Sequence, residues 1–332
     1  MRVLFGQPRF SDQHDWTEVT GHFPPELARR VTVESIESAE LLHRLRGGGP
    51  RVDVLVPIMA PVTRQIFDLD AFSMIQQFGV GTEAIDLDAA EDHTIPVANM
   101  PGLNARYVAE HAIALLLALM RRLPEARAGF APGHWGSPAG ASIAGSTVCV
   151  VGLGAIGTAV AHLLSAFGAH VLGVHRSAIN ETALPSGIML YRVGAMDEAL
   201  GQADAVIVAA SATPGAPAVL SAQRIAAIKP GAFVVNVARG SVIDNDACLA
   251  AVQSGRLAGL GLDVFAVEPY PGDGPLLADP RVIATAHTGA LTSGYFAEAA
   301  RRLGDSILRF EAGQPLENLR TARRPETNGI SG

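Results

Sequence analysis

Four residues that could bind an organic acid and move a proton lie in the second half of the chain. They are Arg239, Asp263, Glu268 and His287, and each follows an apolar segment. An arginine can bind a carboxylate through two hydrogen bonds, and a histidine beside a carboxylate favours its charged form and can donate a proton near neutral pH. Taken singly, they have ordinary alternatives: a surface ion pair, a structural histidine, a residue in a turn.

A glycine-rich turn precedes these residues. Gly152, Gly154 and Gly157 have G-x-G-x-x-G spacing, between an apolar strand at 148–151 and a predicted helix at 158–167. The first glycine allows a tight turn, the second a close approach of a pyrophosphate, and the third close helix packing. The free N–H groups of the helix N-terminus would face the phosphates. We therefore predict dinucleotide binding; the alternative is a glycine turn without a ligand.

Alternating strands and helices must position this turn and the four polar residues. Strands are predicted at 2–5, 31–33, 52–56, 74–78, 95–98, 148–151, 170–174, 205–209, 233–237, 259–264 and 282–284. Helices are predicted from a cap at Ser35 or Ser38 to 46, from a cap at Asn104 to 122 with Pro124 ending it, and at 247–254 and 292–310. This alternation predicts parallel sheets, whose carboxyl edges bind ligands.

Composition limits the remaining possibilities. The 332 residues suggest two domains, and the net charge of −7 argues against nucleic acid or an anionic membrane as a partner. Cys149 and Cys248 lie in apolar segments, so no disulfide framework or metal site is predicted. The N-terminus lacks a signal-peptide pattern and the apolar run 112–120 is too short to span a bilayer, so we expect a cytoplasmic protein.

Two irregular segments allow alternatives. The turn at 77–82 places Val80 between two glycines, so it could offer N–H groups to an anion, although the residues alone favour a plain strand-to-helix turn. Residues 124–146 are rich in Pro, Gly and Ala and contain Trp135. This segment could pack on a partner subunit or form a surface loop.

The ordered motifs of the chain resemble the D-isomer-specific 2-hydroxyacid dehydrogenases, a family that includes formate and phosphoglycerate dehydrogenases and glyoxylate/hydroxypyruvate reductases. The resemblance runs from about residue 52 to 318. It rests on residues 78–81 with 85–86, 108–110, 151–157, 229–231, 236–240 with 242–244, 262–265 with 268–269, and 287–289.

The resemblance implies roles for the matching residues. Arg239 would bind the 2-oxo acid carboxylate and polarise its carbonyl, His287 would protonate the carbonyl oxygen, and Glu268 would orient His287. Substrate contacts would also come from Met59 and from the N–H groups of Val80 and Gly81. The implied cofactor-binding residues are Gly152, Gly154, Ala155, Ile156, Gly157, His175, Arg176, Ser177, Val237, Ala238, Arg239, Asp263, His287 and Gly289.

The resemblance also implies a domain arrangement. A Rossmann domain at 101–287 would be inserted into a flavodoxin-like substrate domain formed by 1–100 and 288–320, with a tail at 321–332. Closure about the two linking segments would exclude water. A homodimer is usual for the family, with the segment after Pro124 wrapping the partner.

Departures from the family pattern affect the expected substrate. Ala209 and Ala210 stand where many members have a histidine, and Tyr107 stands where many have a serine. The loop 57–60 is apolar where the phosphoglycerate branch has arginines, so we expect a small 2-oxo acid such as glyoxylate, hydroxypyruvate or pyruvate. The alternatives are a dinucleotide-sensing protein like the corepressors of this fold, and a dehydrogenase of formate or phosphite.

The end of the second Rossmann strand indicates the cofactor. An NAD enzyme of this fold has Asp or Glu there to bind the ribose 2′-OH, but this chain has His175, Arg176 and Ser177. Arg176 could pair with a 2′-phosphate and the Ser177 hydroxyl could donate a hydrogen bond to it. We therefore expect NADP to be preferred, with NAD possible; the alternative is an exposed loop arginine.

Overall fold

The computed structural model describes residues 1–7, 16–130, 135–136, 139–176, 179–212 and 215–321. Its contacts divide the chain into two compact units. Unit 1 is Met1–Asn104 with Thr292–Gly332, and unit 2 is Ala105–Leu291. Both boundaries fall four residues after those expected from the sequence (104 − 100 and 291 − 287).

Unit 1 contains, in its described part, a five-stranded parallel sheet in the order β2-β1-β3-β4-β5. This is the flavodoxin-like order. The strands are β1 (Arg2–Gln7), β2 (Thr32–Glu37), β3 (Val54–Val56), β4 (Met74–Gln76) and β5 (Val97–Ala98). The helices that precede unit 2 are α1 (Pro25–Ala28), α2 (Leu41–Arg46), α3 (Arg64–Phe67) and α4 (Leu87–Asp92). Strands β3 and β4 are buried along their whole length, as continuous apolar strands of a parallel sheet must be.

Unit 2 contains, again in its described part, a seven-stranded parallel sheet in the order β12-β11-β10-β9-β6-β7-β8. Its first elements are α5 (Ala105–Met120), α6 (Leu123–Ala128), β6 (Thr147–Val151), α7 (Ala155–Ala166), β7 (His170–His175) and β8 (Met189–Arg192). The later ones are α8 (Met196–Gln202), β9 (Ala205–Val208), α9 (Ala222–Ala227), β10 (Ala232–Asn236), α10 (Asn245–Gln253), β11 (Leu257–Leu262) and β12 (Val282–Ala284). The final helix, α11 (Ser293–Glu311), belongs to unit 1.

The predicted fold class, two α/β units with parallel sheets, is confirmed. Each face of the larger sheet is covered by an apolar cluster. One cluster joins α5 and α7 to the sheet, and the other joins α8, α9 and α10 to it. The strand order reverses between β9 and β6, and in open α/β sheets this switch point is where ligands bind at the carboxyl edge.

Local predictions differ from the structure at several positions. Ser35 caps no helix, because β2 continues to Glu37 in register with β1. Pro124 does not end the long helix; it lies in the first turn of α6, where its missing N–H breaks no helical bond. Helix α7 begins at Ala155, three residues earlier than predicted (158 − 155), and strand β8 was not predicted. No helix in the described ranges is long and apolar enough to cross a bilayer.

Candidate active site

The glycine turn after β6 is tight and closely packed. Gly152 has φ +98°, a conformation that disfavours residues with a side chain, and a Cβ placed on it would lie 2.6 Å from the Cα of Ala210. A Cβ on Gly157 would lie 1.8 Å from the carbonyl oxygen of Gly152. These contacts require glycine at both positions and place the turn against the loop after β9, at the switch point of the sheet.

The N-terminus of α7 fits a diphosphate. Gly154 precedes the helix and provides no side-chain cap, and a Cβ built on it would meet no atom within 4 Å. Ala155 and Ile156 form the first turn, whose N–H groups have no partner within a helix. Free donors beside open space, at the positive end of a twelve-residue helix, are what a dinucleotide pyrophosphate requires.

Two exposed arginines lie at the adjacent carboxyl ends of β7 and β8. Arg176 directly follows β7, and Arg192 ends β8, where it is the register partner of the buried His175. Within the described ranges, neither guanidinium has a hydrogen bond or an ion pair. Ser177, the third residue expected here, lies outside the described residues. The end of β7 is therefore positively charged, and among the described residues no carboxylate pairs with these arginines.

Glu268 and His287 form a hydrogen-bonded pair. Glu268 Oε2 lies 2.7 Å from His287 Nδ1, and Glu268 Oε1 accepts a hydrogen bond from the Phe265 N–H at 2.9 Å. The His287 side chain is 39% exposed, so a reactant can reach its ring, whereas Glu268 is 21% exposed. The pair has the arrangement of a general acid and the carboxylate that orients it.

Contacts shift the pKa values of this pair in opposite directions. Burial opposes ionisation of Glu268, but hydrogen bonds from His287 and the Phe265 N–H outweigh it and lower the pKa of this carboxyl. The hydrogen bond to Glu268 raises the pKa of His287 above 6.5, although burial opposes the charged form. The positive charge of Arg239 lowers the pKa values of both Glu268 and His287.

Arg239 is positioned by the turn that follows β10. Asn236, fully buried at the end of that strand, donates from Nδ2 to the carbonyl of Arg239 at 3.0 Å and accepts the Ala238 N–H at 3.0 Å. The Arg239 Nη1 donates to the Ala238 carbonyl at 2.8 Å, and Val237 and Ala238 are buried. The asparagine thereby fixes the backbone from which the guanidinium extends.

Asp263 is buried, and its carboxylate organises the turn that carries His287. Oδ1 accepts the Thr288 N–H at 2.8 Å and Oδ2 accepts the Gly289 N–H at 2.9 Å. The backbone carbonyl of Asp263 accepts the His287 N–H at 2.8 Å. His287 has φ +54°, an uncommon conformation for a residue with a side chain, and these bonds hold it there.

Two residues of this site, His111 and Thr285, were not predicted. Thr285 follows β12 at the carboxyl edge, which is a positional signal that the sequence did contain. His111 lies in the apolar helix α5, where a histidine is usually structural, so only the structure reveals that it touches Asp263. No cluster of three or more metal-ligating side chains occurs in the described part of the chain.

Unit 1 contains the residues that the sequence associates with substrate. In the turn 77–82, three successive carbonyls accept hydrogen bonds: Phe78 from Tyr295 Oη at 3.1 Å, Gly79 from the Met100 N–H at 2.8 Å and Val80 from Asn99 Nδ2 at 2.7 Å. The Val80 and Gly81 N–H groups donate to no described residue. Met59 is 42% exposed. The turn therefore offers donors that an anion could accept.

Comparison with known proteins identifies relatives along most of the chain. The family model of the D-isomer specific 2-hydroxyacid dehydrogenase NAD binding domain matches residues 113–289. The D-3-phosphoglycerate dehydrogenase of Mycobacterium leprae (strain TN) is 40% identical over 236 residues, which are 70% of this chain and 43% of that protein. The hydroxypyruvate reductase of Thermotoga maritima is 36% identical over 285 residues, 84% of this chain and 88% of that protein.

A solved structure resembles the chain over nearly its full length. The NADPH-dependent glyoxylate/hydroxypyruvate reductase from Sinorhizobium meliloti, in complex with NADP and malonate, has a TM-score of 0.78 and 27% identity. The match covers 98% of this chain and 97% of that one. By contrast, this chain spans only about half the length of the phosphoglycerate dehydrogenases it matches, 43% and 50% in two of them.

Proposed function

Because the chain belongs to the D-isomer-specific 2-hydroxyacid dehydrogenases, we propose that it interconverts a small 2-oxo acid and its D-2-hydroxy acid. The observation that carries this proposal is the 2.7 Å hydrogen bond between Glu268 and His287, with Arg239 near enough to influence both pKa values. Reduction of a 2-oxo acid needs two protein groups. One is a cation that binds the carboxylate, and the other is a proton donor, here a histidine whose pKa is raised. The glycine turn at the same sheet edge fits a dinucleotide.

The proposed mechanism assigns one task to each residue. A bound nicotinamide dinucleotide would supply or accept the hydride. Arg239 binds the substrate carboxylate and polarises the adjacent carbonyl. His287 gives its proton from Nε2 to the carbonyl oxygen, because Nδ1 is engaged by Glu268. Glu268 stabilises the imidazolium before transfer and keeps the ring oriented afterwards.

Asp263 and the glycine turn would hold the cofactor. The Asp263 carboxylate would hold the nicotinamide end of the cofactor. Gly152, Gly154, Ala155, Ile156 and Gly157 would bind the pyrophosphate through backbone groups, with Val237, Ala238 and Gly289 lining the site.

We propose that NADPH is preferred over NADH. Arg176 and Arg192 have no described carboxylate partner and lie at neighbouring strand ends, so both can approach a 2′-phosphate at the end of β7. The Sinorhizobium meliloti reductase, whose structure holds NADP, supports this assignment.

For the substrate we propose glyoxylate, hydroxypyruvate or pyruvate. Met59, Val80 and Gly81 keep their proposed roles in substrate binding, the latter two through backbone N–H groups. Oxidation of D-3-phosphoglycerate is the second candidate, because several relatives bear that enzyme's name. Against it, the loop 57–60 contains no basic side chain to pair with a phosphate.

We also propose a homodimer. Phe130 and Trp135 are 66% and 88% exposed. Their rings pack edge to face, with ring centroids 5.6 Å apart. Two large aromatic rings left in water favour burial against another surface. Light scattering on the purified chain would test this, and a monomeric mass at micromolar concentration would contradict it.

A substrate panel tests the proposed activity. Glyoxylate, hydroxypyruvate, pyruvate and 3-phosphohydroxypyruvate would each be assayed with NADPH and with NADH by nicotinamide absorbance, and formate and phosphite with the oxidised cofactors. We expect turnover with at least one non-phosphorylated 2-oxo acid and the D-enantiomer of the product. Turnover of the phosphorylated acid alone would favour the second candidate, and no turnover with any 2-oxo acid would refute the proposal.

A further inference from the structure

Three side chains from three separate elements of unit 2 meet behind the turn that carries His287. His111 extends from α5, Asp263 follows β11 and Thr285 follows β12. The Thr285 Oγ1 lies 2.7 Å from Asp263 Oδ1, and His111 Nε2 lies 2.8 Å from Thr285 Oγ1 and 3.4 Å from Asp263 Oδ1. This cluster of His111, Thr285 and Asp263 is buried or part-buried, with Asp263 only 3% exposed.

The hydrogen-bond inventory of the cluster determines where its protons lie. Burial opposes ionisation of Asp263, but hydrogen bonds from His111, Thr285 and the Thr288 N–H outweigh it and lower the pKa of this carboxyl. The Thr285 hydroxyl has two acceptors in reach, Asp263 Oδ1 at 2.7 Å and the Leu262 carbonyl at 3.5 Å. An ionised carboxylate only accepts, so at the shorter distance the single hydroxyl proton points to Asp263. The Thr285 oxygen must therefore accept from His111, which requires a proton on Nε2 of that ring.

The cluster is connected directly to His287. Through Oδ1 and Oδ2, Asp263 binds the N–H groups of Thr288 and Gly289, the two residues that follow His287. A Cβ on Gly289 would lie 2.7 Å from Asp263 Oδ2 and 3.5 Å from His111 Cδ2, so the ring also packs against this turn. Any rotation of the carboxylate would displace the backbone that holds His287 at φ +54°.

We propose that His111 is a positioning residue of the reaction, which fixes the Asp263 carboxylate through Thr285 and thereby the orientation of His287. This inference rests on the proposed function, in which Asp263 and His287 serve the cofactor and the substrate. His111 acts through Asp263 and transfers no proton to a reactant. The N–H donor at Nε2 is the property that matters, so a side chain of similar size without that donor should not hold the Asp263 carboxylate in place.

Several charged groups influence the pH dependence of this arrangement. His111 faces Asp263 from α5, and His287 acts on it from the turn after β12. The charges of Glu268 and Arg239, in the segments after β11 and β10, act on His287. Loss of the His111 donor should raise the pKa of Asp263. As the pH is lowered, any binding that requires ionised Asp263 should then be lost at a higher pH than in the wild type.

The first test measures the proton on His111 directly. Long-range ¹⁵N–¹H spectra of the full chain labelled in histidine, without added dinucleotide, distinguish a protonated Nε2 from an unprotonated one. The signal is assigned by its loss in His111→Gln. We expect Nε2 of His111 to be protonated from neutral to mildly alkaline pH. An unprotonated Nε2 would overturn the proposal, and this result depends on no assumption about substrate.

The second test compares His111→Phe, which removes the donor, with His111→Gln, whose amide can replace it. His162→Phe is the control, because His162 is an exposed histidine of α7 whose ring forms a hydrogen bond with the Ala183 carbonyl, away from Asp263. We expect His111→Phe to lower kcat about 10- to 100-fold by misplacing His287. The acidic limit of NADPH binding, followed by fluorescence, should move to higher pH. His111→Gln should recover most of both losses.

A double-mutant cycle with Thr285→Val identifies the route of the effect. If His111 acts through Thr285, the double variant should be little worse than the more impaired single variant. Additive losses, or equal impairment of the Phe and Gln variants with an unchanged pH dependence of NADPH binding, would mean that His111 only packs and would overturn the proposal. If no 2-oxo acid is turned over, the proposed function fails separately, while the tautomer and the binding profile still decide the role of His111.

Discussion

Glu268 Oε2 and His287 Nδ1 lie 2.7 Å apart, which joins two residues separated by nineteen positions in the chain. Glu268 reaches from the loop after β11 and His287 from the turn after β12, and these strands are neighbours in the sheet. The contact raises the pKa of His287 and lowers the pKa of Glu268. The protonation state of His287, the proposed acid, therefore depends on the position of Glu268 in the loop after β11.

Glu268→Gln should move the pH dependence of 2-oxo acid reduction. Reduction requires protonated His287, so its rate falls as pH rises through the raised pKa of that residue. A neutral amide supports the imidazolium less well, so we expect the alkaline limb of kcat/KM to move to lower pH and kcat to fall. The pH–rate profile measures this. Glu125→Gln, which alters a surface ion pair with Arg122, is the control, and an unmoved limb in Glu268→Gln would contradict the assignment.

The same pair predicts how stability depends on pH. The folded-state pKa of His287 is raised above 6.5, so its stabilising contribution is complete below that value and is lost as pH rises through the folded pKa. The difference in melting temperature between the wild type and His287→Ala should therefore shrink from mildly acidic to mildly alkaline pH. Thermal denaturation across that range measures it, with His162→Ala as the control. A difference that grows with pH would refute the raised pKa.

Substitutions of the two proposed catalytic cations should have different kinetic signatures. His287→Ala should lower kcat about 10²–10⁴-fold with a small change in KM, because a general acid acts mainly in the transition state. Arg239→Ala should raise KM and lower kcat together, because the guanidinium binds the carboxylate in both the ground and transition states. Steady-state kinetics with the best 2-oxo acid decide the matter. Near-full activity of His287→Ala would exclude it as the proton donor.

Gly289→Ala should disable the turn that holds His287. The added Cβ would lie 2.7 Å from Asp263 Oδ2, and that oxygen cannot retreat without breaking its bond to the Gly289 N–H. We expect activity to fall by about 100-fold, as misplacement of a catalytic group by about 1 Å can cause. Gly272→Ala, where a Cβ meets no atom within 4 Å, is the matched control. Equal activity of the two variants would contradict this account.

The arginines after β7 and at the end of β8 should determine the cofactor preference. A hydrogen bond to a charged group contributes about 1.5–3 kcal/mol, which corresponds to roughly 10- to 100-fold in kcat/KM. We expect the wild-type ratio of kcat/KM for NADPH over NADH to lie in this range. Arg176→Ala should lower the ratio most and Arg192→Ala by less, while Arg46→Ala, in unit 1, should leave it unchanged. A wild-type ratio below one would overturn the preference.

Much of the fold follows from local sequence patterns. Short apolar runs alternate with helical segments, and the runs at 205–209 and 282–284 lie within one residue of β9 and β12. Such runs predict strands of a parallel sheet, because helices cover both faces of the sheet and side chains on either face meet apolar surroundings. Strand β8 (Met189–Arg192) was not predicted, although residues 188–191 form a short apolar run. It lies at the edge of the sheet, and its residues are exposed or part-buried.

The sequence by itself determined the residue types of the site and the edge of the sheet on which they lie. Arg239, Asp263, Glu268 and His287 each follow a strand, and parallel strands place such residues at one edge. Only the tertiary structure decided which of them touch, since contacts such as Glu268 with His287 depend on strand order and loop path. It also brought in His111, whose helix carries no local sign of a site. Its hydrogen bond with Thr285 joins residues 174 positions apart (285 − 111) and is a property of packing, which no local pattern encodes.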